Sequence, residues 1–313
     1  MTTKPQPRPT TWQGVKGPVY ADHPLAPLTT WKIGGPAEFL VVPQDIEDVL
    51  ALQRLAAHRG CPLFFLGRGS NVLIADAGLS GITLHLVKSF QKLECQNDTV
   101  RVGAGVGLPR LAKIMAELGQ GGFEFLAGIP GTVGAAVRLN AGAHGQDLGR
   151  ILKRLWVATP ELELKELTAS EITPGYRTSR LLHLPRWLVV EAEFVLQEEV
   201  SSVEIQRRMR EFLEERRARQ PSHPRTCGSV FKNPPDGPAA GRLIEEAGWK
   251  GKSLGAAQVS RKHANFIINR GGTTATEMAT LMAAIEDSVL QRFGIRLERE
   301  VVFLPQDTQL RSG

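Results

Sequence analysis

AGIPGTVGAAVRLNAGAHG, residues 127–145, sets five glycines, Gly128, Gly131, Gly134, Gly142 and Gly145, around a run of small and apolar residues at 135–139. Glycine accepts positive φ and lets another molecule approach the backbone without meeting a Cβ. Successive N–H groups in such a turn converge on an anion, most often a phosphate. No acidic side chain lies in the stretch to repel one. The plain alternative is a surface loop joined to a short helix. A second glycine loop upstream, LGRGSNVLI at 66–74, tilts the balance toward phosphate.

That upstream loop follows a short apolar run at 62–66 that reads as a buried strand. A strand running into Gly67-Arg68-Gly69-Ser70-Asn71 invites a dinucleotide-fold reading. Two features oppose it. Val72 stands where the third glycine belongs, and 72–74 has the character of a strand rather than a helix start. GAGVG at 103–107 is another glycine cluster without that fingerprint, although a helix is expected after it at 108–118.

The chain has 313 residues, enough for two domains and a sizeable core. With 42% hydrophobic and 22% charged residues it has the composition of an ordinary globular protein. A formal charge of +6 suits anionic ligands such as nucleotides. The basic residues are dispersed and there are only two tyrosines, which argues against a nucleic-acid surface. Cys61, Cys95 and Cys227 form neither a CxxC nor a disulfide framework, and the seven histidines lack metal-ligand spacing. A reducing, cytoplasmic setting is expected. The N-terminus is polar and proline-rich, without the apolar core of a signal peptide, and a poorly ordered tail is expected there. No apolar run is long enough to span a bilayer.

In chain order, 29–42 reads as a glycine turn and a strand, and 45–59 as a helix ending at Gly60. Strands are expected at 81–86, 100–102, 151–159, 162–167 and 187–196. The pattern is α+β, without clean βαβ repeats. A helix at 201–219 is expected to turn Val203, Ile205, Met209 and Phe212 inward, its six arginines offset by four glutamates on a solvated face. QPSHPRT at 220–226 reads as a connection. Beyond it come helices at 239–247 and 274–293 and strands at 264–269 and 296–304, a small α+β domain.

Three places carry candidate chemistry. Ser229, between Gly228 and Val230 and close to Lys232, is either a turn serine or a constrained proton donor; as a donor it needs cationic or hydrogen-bonding help. There is no GxSxG and no triad spacing. Arg177, in YRTSR, is either a surface arginine or a clamp for a carboxylate or enolate oxygen. Glu298 and Glu300, two apart on the expected last strand, share a side that is either solvated or lines a cleft.

The segments TTWKIGGPAEF, LGRGSNVLI, FLAGIPGTVGAAVRLNAGAHG, GYRTS, CGSVFKNP, GAAQVSRKHANFIIN and RLEREVVF occur in this order between about residues 28 and 304. Together they resemble the UDP-N-acetylenolpyruvoylglucosamine reductases, flavoenzymes also called UDP-N-acetylmuramate dehydrogenases, in the shorter form of that family. The resemblance implies an α+β chain: an FAD-binding fold of the vanillyl-alcohol oxidase type followed by a smaller α+β substrate-binding domain. The expected divisions are a flexible tail at 1–24, the FAD-binding domain at 25–199, the helix linker and substrate domain at 200–305, and a C-terminal tail at 306–313.

The same resemblance implies an oxidoreductase using FAD, with NADPH as reductant. It reduces UDP-N-acetylglucosamine enolpyruvate to UDP-N-acetylmuramate for peptidoglycan and cell-wall synthesis, and thereby serves cell shape and division. Hydride passes from flavin N5 to the vinyl carbon, Arg177 and Glu300 stabilise the enolic species, and Ser229 protonates it. Glu300 must carry or share a proton to help an anion. Cofactor contacts are expected at Gly67, Arg68, Gly69, Ser70, Asn71, Gly128, Ile129, Gly131, Thr132, Gly134, Asn140 and Gly142. Substrate contacts are expected at Tyr176, Lys232, Asn233, Gln258, Lys262 and His263. No metal, nucleic acid or membrane insertion is expected, and the chain is expected to be a cytoplasmic monomer. The family usually has tyrosine where His144 stands, and its shorter form lacks the long substrate-capping loop. The competing readings are another FAD-dependent oxidase or dehydrogenase of the same fold and a non-catalytic UDP-sugar-binding protein.

Overall fold

A computed structural model describes residues 8–10, 12–184 and 186–305. The expected C-terminal tail and the first seven residues of the N-terminal one lie outside them. The chain divides into two compact units. The first takes the chain up to His23, Glu38–Arg68 and Ser80–Arg216; the second takes Pro24–Ala37, Gly69–Leu79 and everything from Arg217 onward. Both units are discontinuous, where the sequence reading drew linear boundaries.

In the first unit Asp45 caps the helix Ile46–Arg59 by accepting the Asp48 N–H at 3.0 Å, and Gly60, at φ +60°, ends it. Asp48 is fully buried, and its carboxylate accepts the N–H groups of Lys16 (2.7 Å), Gly17 (2.9 Å) and Gln44 (2.8 Å). This corrects the expected tail at 1–24. The segment at 16–17 is fastened to the helix, and Arg8–Thr10 pairs antiparallel with Val19, Tyr20 and Ala21.

Two sheets follow. One has the strand order Arg8–Thr10, Val19–Pro24, Pro36–Val41, Leu79–His85, Leu63–Leu66, the last two parallel. The other is antiparallel, in the order Leu164–Thr168, Leu152–Ala158, Leu188–Val195, Thr99–Gly103, Leu93–Gln96. Strand side chains alternate between faces, and both faces of this second sheet are apolar. Leu155, Val157, Val189 and Phe194 join one core with the helices Leu108–Glu117 and Val133–Leu139. Trp156, Ala158, Leu188 and Val190 join another with Val49, Leu52 and Ala56 of the first helix. Burial on both faces is why WLVVEAEFVL reads as a nearly unbroken apolar run.

The helix Ser202–Arg219 buries Ile205 but leaves Val203 75% exposed, which corrects the inward placement of Val203. Positions two apart on a helix lie roughly 200° apart, so Val203 and Ile205 cannot share a face.

The second unit has its own core, including Trp31, Leu73, Val230, Phe231, Ile244, Met278 and Ile285. Trp31 is fully buried and donates its indole N–H to the Ile267 carbonyl at 2.9 Å, while Asn269 donates to the Trp31 carbonyl at 2.8 Å. These two bonds fasten the segment around Trp31 to a part of the chain more than two hundred residues away. Ser253–Leu254, Ala257–Val259 and Ile267–Asn269 form a small antiparallel sheet, and Val302–Leu304 pairs parallel with Val72–Ile74. A strand therefore does follow GRGSN. The strands expected at 264–269 and 296–304 are both shorter than read. Phe266 N–H turns back to the His263 carbonyl, and 297–301 pairs only through an isolated bridge at Arg299.

Candidate active site

In the first unit the two glycine loops come together. A Cβ on Gly67 would stand 2.7 Å from Thr132 Oγ1 and 3.8 Å from Ala135 Cβ. Thr132 is buried and is the N-cap residue of the helix Val133–Leu139. Gly67 therefore keeps open a gap facing the first turn of that helix. The Arg68 guanidinium lies against Gly107, 3.1 Å from where its Cβ would be.

GAGVG, set aside in the sequence, is what the second loop rests on. Val133 N–H donates to Val106 O at 2.9 Å, Gly134 N–H to Ala104 O at 2.9 Å, and Leu108 N–H to Gly131 O at 3.1 Å. A Cβ on Gly134 would come within 2.8 Å of Ala104 Cβ. Gly134 and Ile129, whose N–H bonds to Leu126 O at 3.1 Å, thus have no N–H to spare for a ligand. What Gly134 offers is close packing. Gly128 lies under the side chains of Leu213 and Arg216.

Asn140 is buried at φ +45°, and its amide is spent on protein: Nδ2 donates to Gly175 O at 2.8 Å, and Oδ1 accepts from Gly149 N–H at 2.8 Å. It tethers the loop of Arg177 rather than presenting its side chain outward. Gly142 gives its carbonyl to Arg177 Nη2 at 2.7 Å. Ser179 Oγ donates to Arg138 O at 2.6 Å, holding the same loop from its other end. Arg177 itself sits at φ +54°, a left-handed conformation costly for a residue with a side chain. Its guanidinium lies 5.6 Å from the centre of the Tyr176 ring, and Tyr176 is 57% exposed. His144 stacks on Phe212 at 4.1 Å between ring centres, with Nδ1 3.0 Å from Glu215.

In the second unit Gly69, at φ +59°, gives its carbonyl to Thr30 N–H at 2.9 Å; a Cβ there would collide with the Leu28 carbonyl oxygen. Ser70 is half-buried in the same turn. Asn71 Nδ2 donates to the Glu300 carbonyl at 3.0 Å, and Asn71 O accepts from Val302 N–H at 3.1 Å. The loop expected to touch cofactor therefore also holds the backbone of Glu300.

Ser229 and Glu300 lie on two irregular segments joined by an isolated bridge between Phe231 and Arg299. Glu300 N–H donates to Val230 O at 2.8 Å, and Lys232 N–H to Glu298 O at 2.8 Å. Asn265 grips the segment that carries Ser229 three times. Its carbonyl accepts Val230 N–H at 2.9 Å, Oδ1 accepts Phe231 N–H at 2.9 Å, and Nδ2 donates to Phe231 O at 2.8 Å. Burial, and then the Glu300 charge, pushes the Cys227 thiol well above its usual range, so Glu300 acts on the interior beside Gly228. Glu298 is paired in the open with Lys232 Nζ at 2.5 Å. The two glutamates thus have different surroundings.

All five second-unit residues assigned to substrate have a polar partner within the protein. Lys232 is in that ion pair. Gln258 donates to Gly251 O at 3.2 Å and accepts from Arg270 at 3.3 Å. Lys262 Nζ donates to Arg217 O. His263 Nδ1 accepts Asn265 N–H at 3.2 Å, and its ring meets Phe266 edge-on at 4.9 Å. Burial, and then Lys250, holds that imidazole below its usual range. The fifth, Asn233, accepts the Ala240 N–H at 3.0 Å at the start of a helix. The three cysteines are free, and among the described residues no cluster of His, Cys, Asp and Glu is fit to hold a metal. No described helix is long and apolar enough to cross a membrane.

Comparison with known proteins decides the family. Residues 220–304 match the family "UDP-N-acetylenolpyruvoylglucosamine reductase, C-terminal domain". The UDP-N-acetylenolpyruvoylglucosamine reductase of Halalkalibacterium halodurans is 42% identical over 91% of this chain and 94% of its own length. The chain belongs to the UDP-N-acetylenolpyruvoylglucosamine reductase family. The Carboxydothermus hydrogenoformans reductase is 43% identical over 93% of this chain and 95% of its own. The solved reductase of Thermus caldophilus superposes with a TM-score of 0.77 at 33% identity, covering 93% of this chain and all of that one.

Residues 37–167 match the FAD binding domain family. That range contains Gly67, Arg68, the GAGVG turn and the whole loop at 127–145. The first unit fits a dinucleotide diphosphate by its own geometry: a gap that a Cβ at Gly67 would fill, the first turn of a helix behind it, and arginines against both Gly107 and Gly128. At position 144, where the resemblance implies tyrosine, the imidazole of His144 stacks on Phe212.

Proposed function

We propose that this chain is an FAD-containing, NADPH-dependent UDP-N-acetylmuramate dehydrogenase that reduces UDP-N-acetylglucosamine enolpyruvate. FAD, when bound, supplies the two-electron relay between NADPH and the enolpyruvyl ether. The protein supplies position, charge and a proton. Reduction adds hydride to the terminal vinyl carbon and a proton to its neighbour, with negative charge gathering on the neighbour and its carboxylate between those events. Arg177 stabilises that charge, and Glu300 does so as a neutral carboxyl or through a shared proton. Ser229 donates its hydroxyl proton to the carbon and recovers one from water.

The observation that supports this reading is the hydrogen bond from the Glu300 N–H to the Val230 carbonyl at 2.8 Å, which brings the backbone of Glu300 beside that of the segment carrying Ser229. Gly67, Arg68, Gly69, Ser70, Asn71, Gly128, Gly131 and Thr132 hold the cofactor, while Ile129, Gly134, Asn140 and Gly142 shape the second loop from within. Tyr176, 57% exposed, is one of the substrate contacts. Lys232, Asn233, Gln258, Lys262 and His263 are the other substrate contacts, each also bonded within the protein. The enzyme acts as a cytoplasmic monomer in peptidoglycan precursor synthesis, on which cell shape and division depend.

The test is anaerobic. NADPH added to the purified protein bleaches the flavin, and UDP-N-acetylglucosamine enolpyruvate then restores its colour. A flavin that NADPH reduces but that substrate leaves bleached contradicts the assignment, as does a protein that carries no flavin.

A further inference from the structure

Arg216 is a cation placed where an apolar side chain belongs. The helix Ser202–Arg219 turns Ile205, Met209, Phe212 and Leu213 toward the protein, and the next position on that stripe is Arg216. It lies against Gly128: the Arg216 Cδ and Nε stand 3.0 Å and 3.7 Å from where a Cβ on Gly128 would be, with Leu213 Cδ2 at 3.6 Å. Other arginines of this helix are provided for. Arg207 pairs with Glu204 and Glu211, Arg208 with Glu204, Glu198 and Glu124, and Arg210 and Arg217 are exposed. Arg138, another desolvated arginine of this unit, donates to the carbonyls of Trp187 and Leu184. Arg216 has neither an ion pair nor a hydrogen bond among the described residues. Burial alone holds its pKa below the usual arginine range. The guanidinium nevertheless stays protonated in a protein, so its charge is desolvated without compensation.

Such a charge is costly unless something negative arrives. Gly128 begins the glycine loop, within the range that matches FAD-binding domains. We propose that Arg216 is an anion-binding residue of the cofactor site, supplying the counter-charge to the diphosphate of bound FAD. This rests on the FAD-dependent reading above. It adds to Arg68 a second charged side chain in the cradle, from a helix distant in sequence from both glycine loops. Because the free protein carries the uncompensated charge, removing it has opposite effects on the two states.

The test uses the full chain stripped of flavin, with Arg216→Met to keep the apolar stem and Arg216→Lys to keep a charge. Thermal unfolding and fluorescence titration with FAD, ADP and riboflavin are measured for each. Arg216→Met is expected to raise the melting temperature of the flavin-free protein. It is also expected to weaken FAD and ADP by roughly 10- to 100-fold and to leave riboflavin unchanged. Arg216→Lys recovers part of the FAD affinity. Unchanged FAD affinity in a folded Arg216→Met protein overturns the proposal. Equal weakening of FAD and riboflavin also overturns it, because that result marks the stem as mere packing. If Arg216→Met does not fold, loss of FAD affinity in Arg216→Lys no greater than that for riboflavin decides against it. A wild-type protein that fails to bind FAD sinks the FAD-dependent reading itself, a result distinct from failure of the Arg216 assignment.

Discussion

The side-chain amide of Asn140 donates to the carbonyl of Gly175 at 2.8 Å, two residues ahead of Arg177. The same amide accepts from Gly149 N–H at 2.8 Å, so its orientation is fixed at both ends. On the role proposed for Arg177, Asn140 is a positioning residue, because it holds the loop that carries Arg177. Asn140→Asp keeps the size and the acceptor for Gly149 but turns a carboxylate toward the Gly175 carbonyl. Substrate-driven reoxidation is expected to slow by at least about 10-fold, since a displacement of order 1 Å is worth up to ~100-fold in rate. Flavin content and reduction by NADPH stay near wild type. Stopped-flow measurement of the two half-reactions checks this, and a uniform fall in both points to a merely structural role.

The gap between Gly67 and Thr132 has a steric test. Gly67→Ala places a methyl 2.7 Å from Thr132 Oγ1 and narrows the gap facing the helix start. FAD affinity is expected to drop about 10-fold or more, as two groups forced together in a packed site typically couple by ~0.5–3 kcal/mol. Adding Thr132→Ala removes the clashing atom and is expected to restore part of the loss. A double variant no better than Gly67→Ala contradicts the steric account.

Two desolvated imidazoles give the fold a pH dependence. Burial, and then the charges of His23 and Lys88, holds His85 below its usual range. Burial, and then Lys250, does the same for His263. An unfolded histidine titrates near pH ~6.5. Below that pH the unfolded chain binds more protons than the native one, so stability falls as pH drops toward the folded pKa values and levels off above neutrality. Urea unfolding at a series of pH values reads this directly, and His263→Gln is expected to flatten the slope. Stability that rises on acidification through that window rules the account out.

Asp76 holds the start of the helix Ala275–Phe293. Its carboxylate accepts Ala275 N–H at 2.7 Å, Thr276 N–H at 3.0 Å and the Thr276 hydroxyl at 2.8 Å. Burial opposes its ionisation, but the bonds from Ala275 and Thr276 outweigh burial and hold the carboxyl below its usual range. This stabilisation is present above the unfolded carboxyl's pKa of ~3.9 and fades as pH falls through the folded one. Asp76→Ala is expected to cost about 1–2 kcal/mol by denaturant titration near neutral pH. A loss that persists undiminished at acid pH assigns the effect to packing instead.

Local rules made much of the fold legible in the sequence. The helix Ile46–Arg59 announced its period and its Gly60 stop, and GRGSN was rightly followed by a strand. What sequence could not show were bonds joining distant positions. Nothing around Asp48 reveals that its carboxylate gathers the N–H groups of Lys16 and Gly17 and so orders a segment that composition marks as tail. Trp31 belongs with Ile267 through one indole bond that no periodicity encodes. In the candidate site, the motifs were enough to single out the loops, Ser229 and Glu300 as candidates. The second role of Asn140, the bed formed by GAGVG and the orphan charge of Arg216 were not, because each depends on what a side chain meets across the fold.

Ser229→Ala tests the central claim most directly, with the two half-reactions followed separately under anaerobic conditions. The account predicts near-normal bleaching of the flavin by NADPH and reoxidation by UDP-N-acetylglucosamine enolpyruvate slowed roughly 10²–10⁴-fold. Reoxidation at the wild-type rate would contradict it and remove Ser229 as the acid.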